Sequence, residues 1–336
     1  MINSSEGSDI PVFNCYLCHV RFLLAYYFRS TKIGENSDMS KCFEDFVSQA
    51  LGFLTRFYAA ELRIMRILSE KLSELYAPAW KELEQQMKFH GKKARCPFVL
   101  SIARHPNEPD IWKESYEEWY TKADIKIMFF GQEPHYWESG EDLGDTQRTY
   151  EMFFEQNCIL SETGGWWNES TIHHGNHFMR WGCNGIMSGI MDQILPYHKG
   201  KRVAMLWNNI SKLSGINGGP IEDSEIHDLE RKYFHVIPKE IEILKPDILV
   251  FFTGSGHNKY YNYIKDNFEF IGESTAIGGL PIHELEKLPL EGVKLAYKTY
   301  HPNARGKGKN EEFFWTFYQA ILDDIAANFD KIQGLQ

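Results

Sequence analysis

The sequence predicts an α/β fold: a three-layer α/β/α sandwich with a mostly parallel central sheet of about four strands, plus helices on its N-terminal side. Three observations carry this. Apolar runs at 125–130, 202–207, 247–253 and 293–299 have the length and turn-bounded ends of strands buried in a parallel sheet. Segments of helical periodicity alternate with them. Each run also ends in a polar loop carrying glycine or asparagine: GQEPHYW, NNISK, GSGHN and YHPNARGKGK. Ligands of open α/β sheets bind outside the carboxyl ends of the strands, so chemistry is expected in these loops. For the first loop, the plain alternative is a strand-to-helix connection whose acid caps the next helix.

Bulk properties narrow the choices. With 336 residues the chain can form one large α/β domain with additions, or two smaller domains. A net charge of −10 argues against broad attraction to nucleic acid, while leaving room for one local basic strip. The six cysteines, at 15, 18, 42, 96, 158 and 183, are too dispersed for a disulfide framework, and a reducing, cytoplasmic setting is expected.

Residues 1–38 differ in texture from the rest and read as an appendage, with Met39-Ser40-Lys41 a natural start. Within them, 10–28 is a poor signal peptide and a marginal span: it holds His19 and Arg21, and no positive charge precedes it. No membrane association is expected. Cys15-x-x-Cys18-His19 with Cys42 lacks the second half of a zinc site, so no metal is expected there.

Residues 39–121 read as a helical region and a linker. Phe43, Phe46, Val47, Ala50, Leu54, Phe57, Leu62, Met65, Leu68, Leu72 and Leu75 recur at helical spacing, with Pro78 expected to start a new helix. Residues 90–109 read as a basic, proline-punctuated linker. The α/β domain is expected over 122–332. It contains an insertion at 140–199 rich in aromatics and histidine. There His173 and His177 stand four apart with Cys183 beyond, but Gly175 lies between and no acid is suitably placed. Hydrogen-bonded histidines are expected in preference to a metal. A helix is expected over 225–244, stopped by Lys245-Pro246, then turns and a short extended segment at 272–289. A closing amphipathic helix carries Phe314, Trp315, Phe317, Tyr318, Ile321, Ile325 and Phe329.

Three strand-end loops thus offer convergent groups: Glu133, Asn208-Asn209 and His301. With them the sequence resembles the uracil-DNA glycosylase superfamily. Typical members carry Gly-Gln-Asp-Pro-Tyr-His after the first strand, matched by Gly131-Gln132-Glu133-Pro134-His135-Tyr136. They carry His-Pro-Ser after the last strand, matched by His301-Pro302-Asn303, and between these an asparagine ending an apolar strand, matched by Asn208 or Asn209. The run Asn209-Ile210-Ser211-Lys212 is similar to the Asn-x-Val-Lys of the thermophile-type branch, which favours Asn209. The three motifs keep the family's order over about residues 122–330.

The resemblance implies a cofactor-free hydrolase that cleaves the N-glycosidic bond of a deaminated or modified base in DNA. Such cleavage builds positive charge on the sugar and negative charge on the leaving base. Glu133 would stabilise the cation and orient water, and a neutral His301 would donate to the base oxygen. Asn209 would pair with the edge of the flipped base, with Gln132, His135 and Tyr136 around it and Tyr150, Phe153 or Phe154 stacking on it. Asn303, Arg305, Lys307 and Lys309 would meet DNA, Arg305 at the position of the family's wedge residue. The plain reading of that stretch is a solvated basic turn.

Two departures stand out. Glu133 replaces an aspartate, and His135 takes the place of a tyrosine, with Tyr136 shifted by one. No four-cysteine pattern accompanies the asparagine motif, so no iron–sulfur cluster is expected. Two further readings stay open: a non-cutting module of the same fold that binds a base or nucleotide, and a hydrolase of nucleosides or small glycosides.

Overall fold

The computed structural model describes residues 67–102, 116–135, 142–157, 177–306 and 308–334. Among the described residues six strands follow one another: β1 (Ile125–Gly131), β2 (Val203–Asn209), β3 (Ile248–Phe251), β4 (Thr275–Ala276), β5 (Leu285–Lys287) and β6 (Leu295–Thr299). They form one sheet in the order β2-β1-β3-β6-β5-β4. The first four in that order are mutually parallel; β5 runs antiparallel to β6, and β4 to β5. The expected α/β architecture is therefore present, with two strands more than expected. The extra strands fall in the stretch read as turns and extended chain; two and three residues are too few to show a period.

The helices are α1 (Ile67–Phe89), α2 (Tyr116–Lys122), α3 (Leu143–Asn157), α4 (Asn184–Gly189), α5 (Ser224–Tyr233), α6 (Ile237–Leu244), α7 (Lys259–Asn267), α8 (Glu311–Ala327) and α9 (Phe329–Ile332). Strand alternation divides the aromatic core between the two sheet faces. On one face Phe129 stacks on Phe252, which meets Phe178 and Tyr318 of α8. On the other, Phe130 stacks on Phe251, and both meet Phe268 just beyond α7. Helix α8 packs on α4, and α1 packs on α5 and α6.

Several expectations need correction. Pro78 starts no helix; α1 runs through it. Proline removes one backbone hydrogen bond, but Leu72, Tyr76, Leu83 and Met87 bury one continuous helix face on either side of it. The helix expected over 225–244 is two, broken at Phe234–Val236, and Pro238 sits in the first turn of α6 where a missing N–H costs nothing. The linker expected at 90–109 is, over its described part, packed chain. Phe98, Val99, Leu100 and Ile102 are fully buried, and the backbone N–H of Phe98 donates to the carbonyl of Lys212 at 2.7 Å. Burying each such side chain is worth about 1.5–3 kcal/mol, enough to hold an extended segment without regular structure.

One close approach shapes the site. Around α4 the chain turns as a π-helix over Phe178–Cys183 and again over Ile190–Ile194. A side chain at Gly182 would lie 2.7 Å from Pro302 and 2.9 Å from Phe252. The glycine lets this turn press directly against the His301-Pro302 loop.

The segment 10–28, and Cys15, Cys18, Cys42 and His173, lie outside the described residues. Among the described residues, no helix is long and apolar enough to cross a membrane.

Candidate active site at the strand ends

Register brings the carboxyl ends of the parallel strands to one edge. Gly131 pairs with Asn209, Phe130 with Phe251, and Phe251 with Lys298. The loops beyond enclose a cleft of about 1250 Å³. It is lined by Gln132, Glu133 and His135 from the first loop, Asn258 and Tyr260 from the third, and His301, Asn303, Arg305 and Lys309 from the last. His177, Trp181 and Tyr300 complete its aromatic wall.

The Glu133 side chain is only 6% exposed. Its Oε1 accepts from the Tyr260 hydroxyl at 2.5 Å and lies 3.4 Å from Lys259 Nζ; its Oε2 accepts from the backbone N–H of Ile221 at 3.4 Å. Burial and the neighbouring carboxylate push the Tyr260 phenol well above its ordinary pKa, so it stays a donor. Gln132 turns its amide nitrogen to the carbonyl of Thr253 at 3.1 Å, tying the first loop to the end of β3. Asn258 donates to the same carbonyl at 2.9 Å and caps α7 by accepting from the N–H of Tyr260. Lys298, on β6, reaches under this third loop and donates to the carbonyls of Gly254 and Gly256. Burial lowers that ammonium to about 8.

His301 is held in one protonation state and one tautomer. Burial pulls its pKa down to about 4, so the ring is neutral at pH 7. The backbone N–H of Asn303 donates to Nδ1 at 3.1 Å. Nδ1 therefore carries the lone pair, and the ring proton sits on Nε2. Phe178 packs against the ring with centroids 5.5 Å apart.

The two asparagines ending β2 separate cleanly, because successive side chains of a strand point to opposite faces. Asn208 is fully buried on the α6 face, where it donates to Glu240 Oε2 at 2.8 Å and accepts from Lys212 Nζ. Asn209 lies on the opposite face, 3% exposed, beneath Gly131. A side chain at position 131 would come within 2.4 Å of its Oδ1. Its amide nitrogen has no hydrogen-bond partner among the described residues. Neither asparagine lines the cleft itself. Tyr150 is also removed from it. That side chain is fully buried, stacks on Trp207 and donates to its carbonyl at 2.7 Å, so it is core and not an exposed stacking platform.

The basic rim is in place where described. Lys309 Nζ lies 4.6 Å above the Tyr300 ring, and Arg305 and Asn303 are exposed beside it. Neither Arg305 nor Lys309 joins an ion pair among the described residues. Tyr136 and Lys307, and the side chains of Phe153 and Phe154, lie outside the described residues. Of the histidine-rich insertion, His177 stacks on Trp181 at 3.8 Å and Cys183 is buried. Among the described residues no cluster of histidine, cysteine and carboxylate is fit to hold a metal.

Sequence reasoning missed Tyr260, Lys259, Trp181, His177 and Tyr300 as cleft residues. The GSGHN loop after β3 was the available signal for the first two, since they open the helix that follows it. Fold and cleft together define an α/β protein with a strand-end site built around a carboxylate and a neutral histidine. Compared with known proteins, the chain matches no protein-family model and no curated protein.

Proposed function

We propose that this chain is a DNA-base glycosylase of the uracil-DNA glycosylase type, acting on a deaminated or modified base. The observation that carries this reading is the His301 geometry. A neutral imidazole with its proton directed to Nε2 sits in the same cleft as a carboxylate, on the motif positions where the resemblance puts both. When the glycosidic bond breaks, its electron pair leaves with the base, and an Nε2–H donor stabilises the resulting base anion. The sugar is left cationic at its anomeric carbon; Glu133 stabilises it and orients the water that adds there. The amide nitrogen of Asn209 has no partner among the described residues, but the side chain lies under Gly131 and outside the cleft lining, so reading a base edge would require the first loop to shift. Arg305 and Lys309 form the local positive strip that an acidic protein needs to hold a phosphate backbone.

The test is a single-turnover assay with excess protein on single- and double-stranded oligonucleotides containing uracil, hypoxanthine or hydroxymethyluracil. Alkali-labile abasic sites that disappear with both Glu133→Ala and His301→Ala support the reading. DNA binding without release of any base would point to the non-cutting module. One observation favours that alternative: the Glu133 carboxylate is nearly buried and already bonded on both oxygens.

A further inference from the structure

We infer that Tyr260 is a positioning residue for Glu133, holding the longer acid in the direction that the shorter aspartate would reach unaided. This rests on the glycosylase reading above and concerns how its carboxylate is held. Position 133 carries one methylene more than the acid it stands in for. A displacement of about 1 Å at a reacting group can cost on the order of 100-fold in rate. A glutamate in that place needs something to fix where its extra reach ends.

The structure supplies it from a different loop. Helix α7 opens directly beside the cleft, capped by Asn258, and its second residue is Tyr260. The residue is 7% exposed, and its hydroxyl ends 2.5 Å from Glu133 Oε1. Lys259 leans across the outer face of the same ring, 4.8 Å from its centroid, and approaches the same oxygen at 3.4 Å. The other oxygen is taken by the N–H of Ile221, so the carboxylate plane is defined from two sides.

The support behind Tyr260 is itself anchored. Lys298 Nζ grips the carbonyls of Gly254 and Gly256 at 2.9 and 2.6 Å, and Gln132 and Asn258 share the carbonyl of Thr253. The acid-bearing loop and the tyrosine-bearing loop are thereby tied to the same strand end. This arrangement matches the geometric demand of a preorganised group: a rotamer locked by its neighbours on rigid elements.

The experiment is a double-mutant cycle in single-turnover kinetics, using Tyr260→Phe, Glu133→Asp and the pair on the full chain. Removing a hydrogen bond to a charged group predicts a rate about 10- to 100-fold lower for Tyr260→Phe, with the half-saturating concentration nearly unchanged. Aspartate is too short to meet the hydroxyl and on this inference does not need it, so adding Tyr260→Phe to Glu133→Asp changes the rate little. An active wild type whose Tyr260→Phe variant keeps full rate, or whose two substitutions multiply, overturns the inference and leaves the glycosylase reading standing. A wild type that releases no base overturns the glycosylase reading and this inference with it.

Discussion

The backbone N–H of Asn303 donates to Nδ1 of His301 at 3.1 Å, so the loop that presents the histidine also chooses which of its nitrogens carries the proton. The third residue of the His-Pro-Asn run sets this tautomer through its peptide, leaving its side chain exposed at the cleft. Proline at 302 is buried against Gly182, which fixes the turn that makes this bond.

A prediction about the histidine follows directly. Burial lowers its folded pKa to about 4, against an ordinary value near 6.5. Between those limits the unfolded chain binds the proton and the folded chain does not, so stability falls as pH drops from about 6.5 to about 4 and is then flat with respect to this group. The full effect is at most about 3.5 kcal/mol, from about 1.4 kcal/mol per pKa unit between about 6.5 and about 4. Nitrogen-15 NMR of the imidazole should show a neutral Nε2–H ring at pH 6 and a midpoint near 4. A midpoint near 6.5 would contradict the assigned environment.

The basic rim makes a separate prediction. Replacing Arg305 or Lys309 with alanine should weaken oligonucleotide binding and reduce the slope of log affinity against log salt by about 0.7–0.9 for each phosphate no longer neutralised. Neither cation is in an ion pair among the described residues, Arg305 is exposed and Lys309 partly so, and thermal stability should change little. Fluorescence anisotropy titrations at several salt concentrations measure the slope. An unchanged slope in the double variant would remove both residues from any nucleic-acid interface.

Beneath the site, Lys212 and Glu240 form an ion pair that is 1% and 0% exposed, with Nζ and Oε1 at 2.8 Å. Burial pulls the Lys212 ammonium downward, and Glu240 opposes that pull. Tyr76 donates to Glu240 Oε1 at 2.6 Å and Asn208 to Oε2. Lys212→Met leaves that carboxylate buried with only neutral donors, and should cost about 3–5 kcal/mol. Lys212→Met combined with Glu240→Leu should recover much of the loss, because the two desolvation costs leave together. Urea unfolding with the slope checked for constancy reads both variants.

The sequence by itself determined the fold class, the four parallel strands and the loops in which the site lies. Strand-length apolar runs closed by Gly131 or by the Asn208-Asn209 pair are local signals, readable without tertiary contacts. It also singled out Glu133, His135, His301, Arg305 and Lys309, all of which the fold brings to one cleft. Tyr150, Asn208 and Asn209 looked similar in sequence, yet all three are buried and none lines the cleft. For Asn208 the reason is strand alternation, which sends neighbouring side chains to opposite faces once β2 extends two residues further than expected. For Tyr150 it is the packing of α3 against Trp207, a contact across 57 positions of chain. Tyr260 became visible only in three dimensions, 127 positions from Glu133. Local periodicity specifies elements. The partners of a single carboxylate depend on which loops the sheet order places side by side, and no stretch of sequence encodes that order on its own.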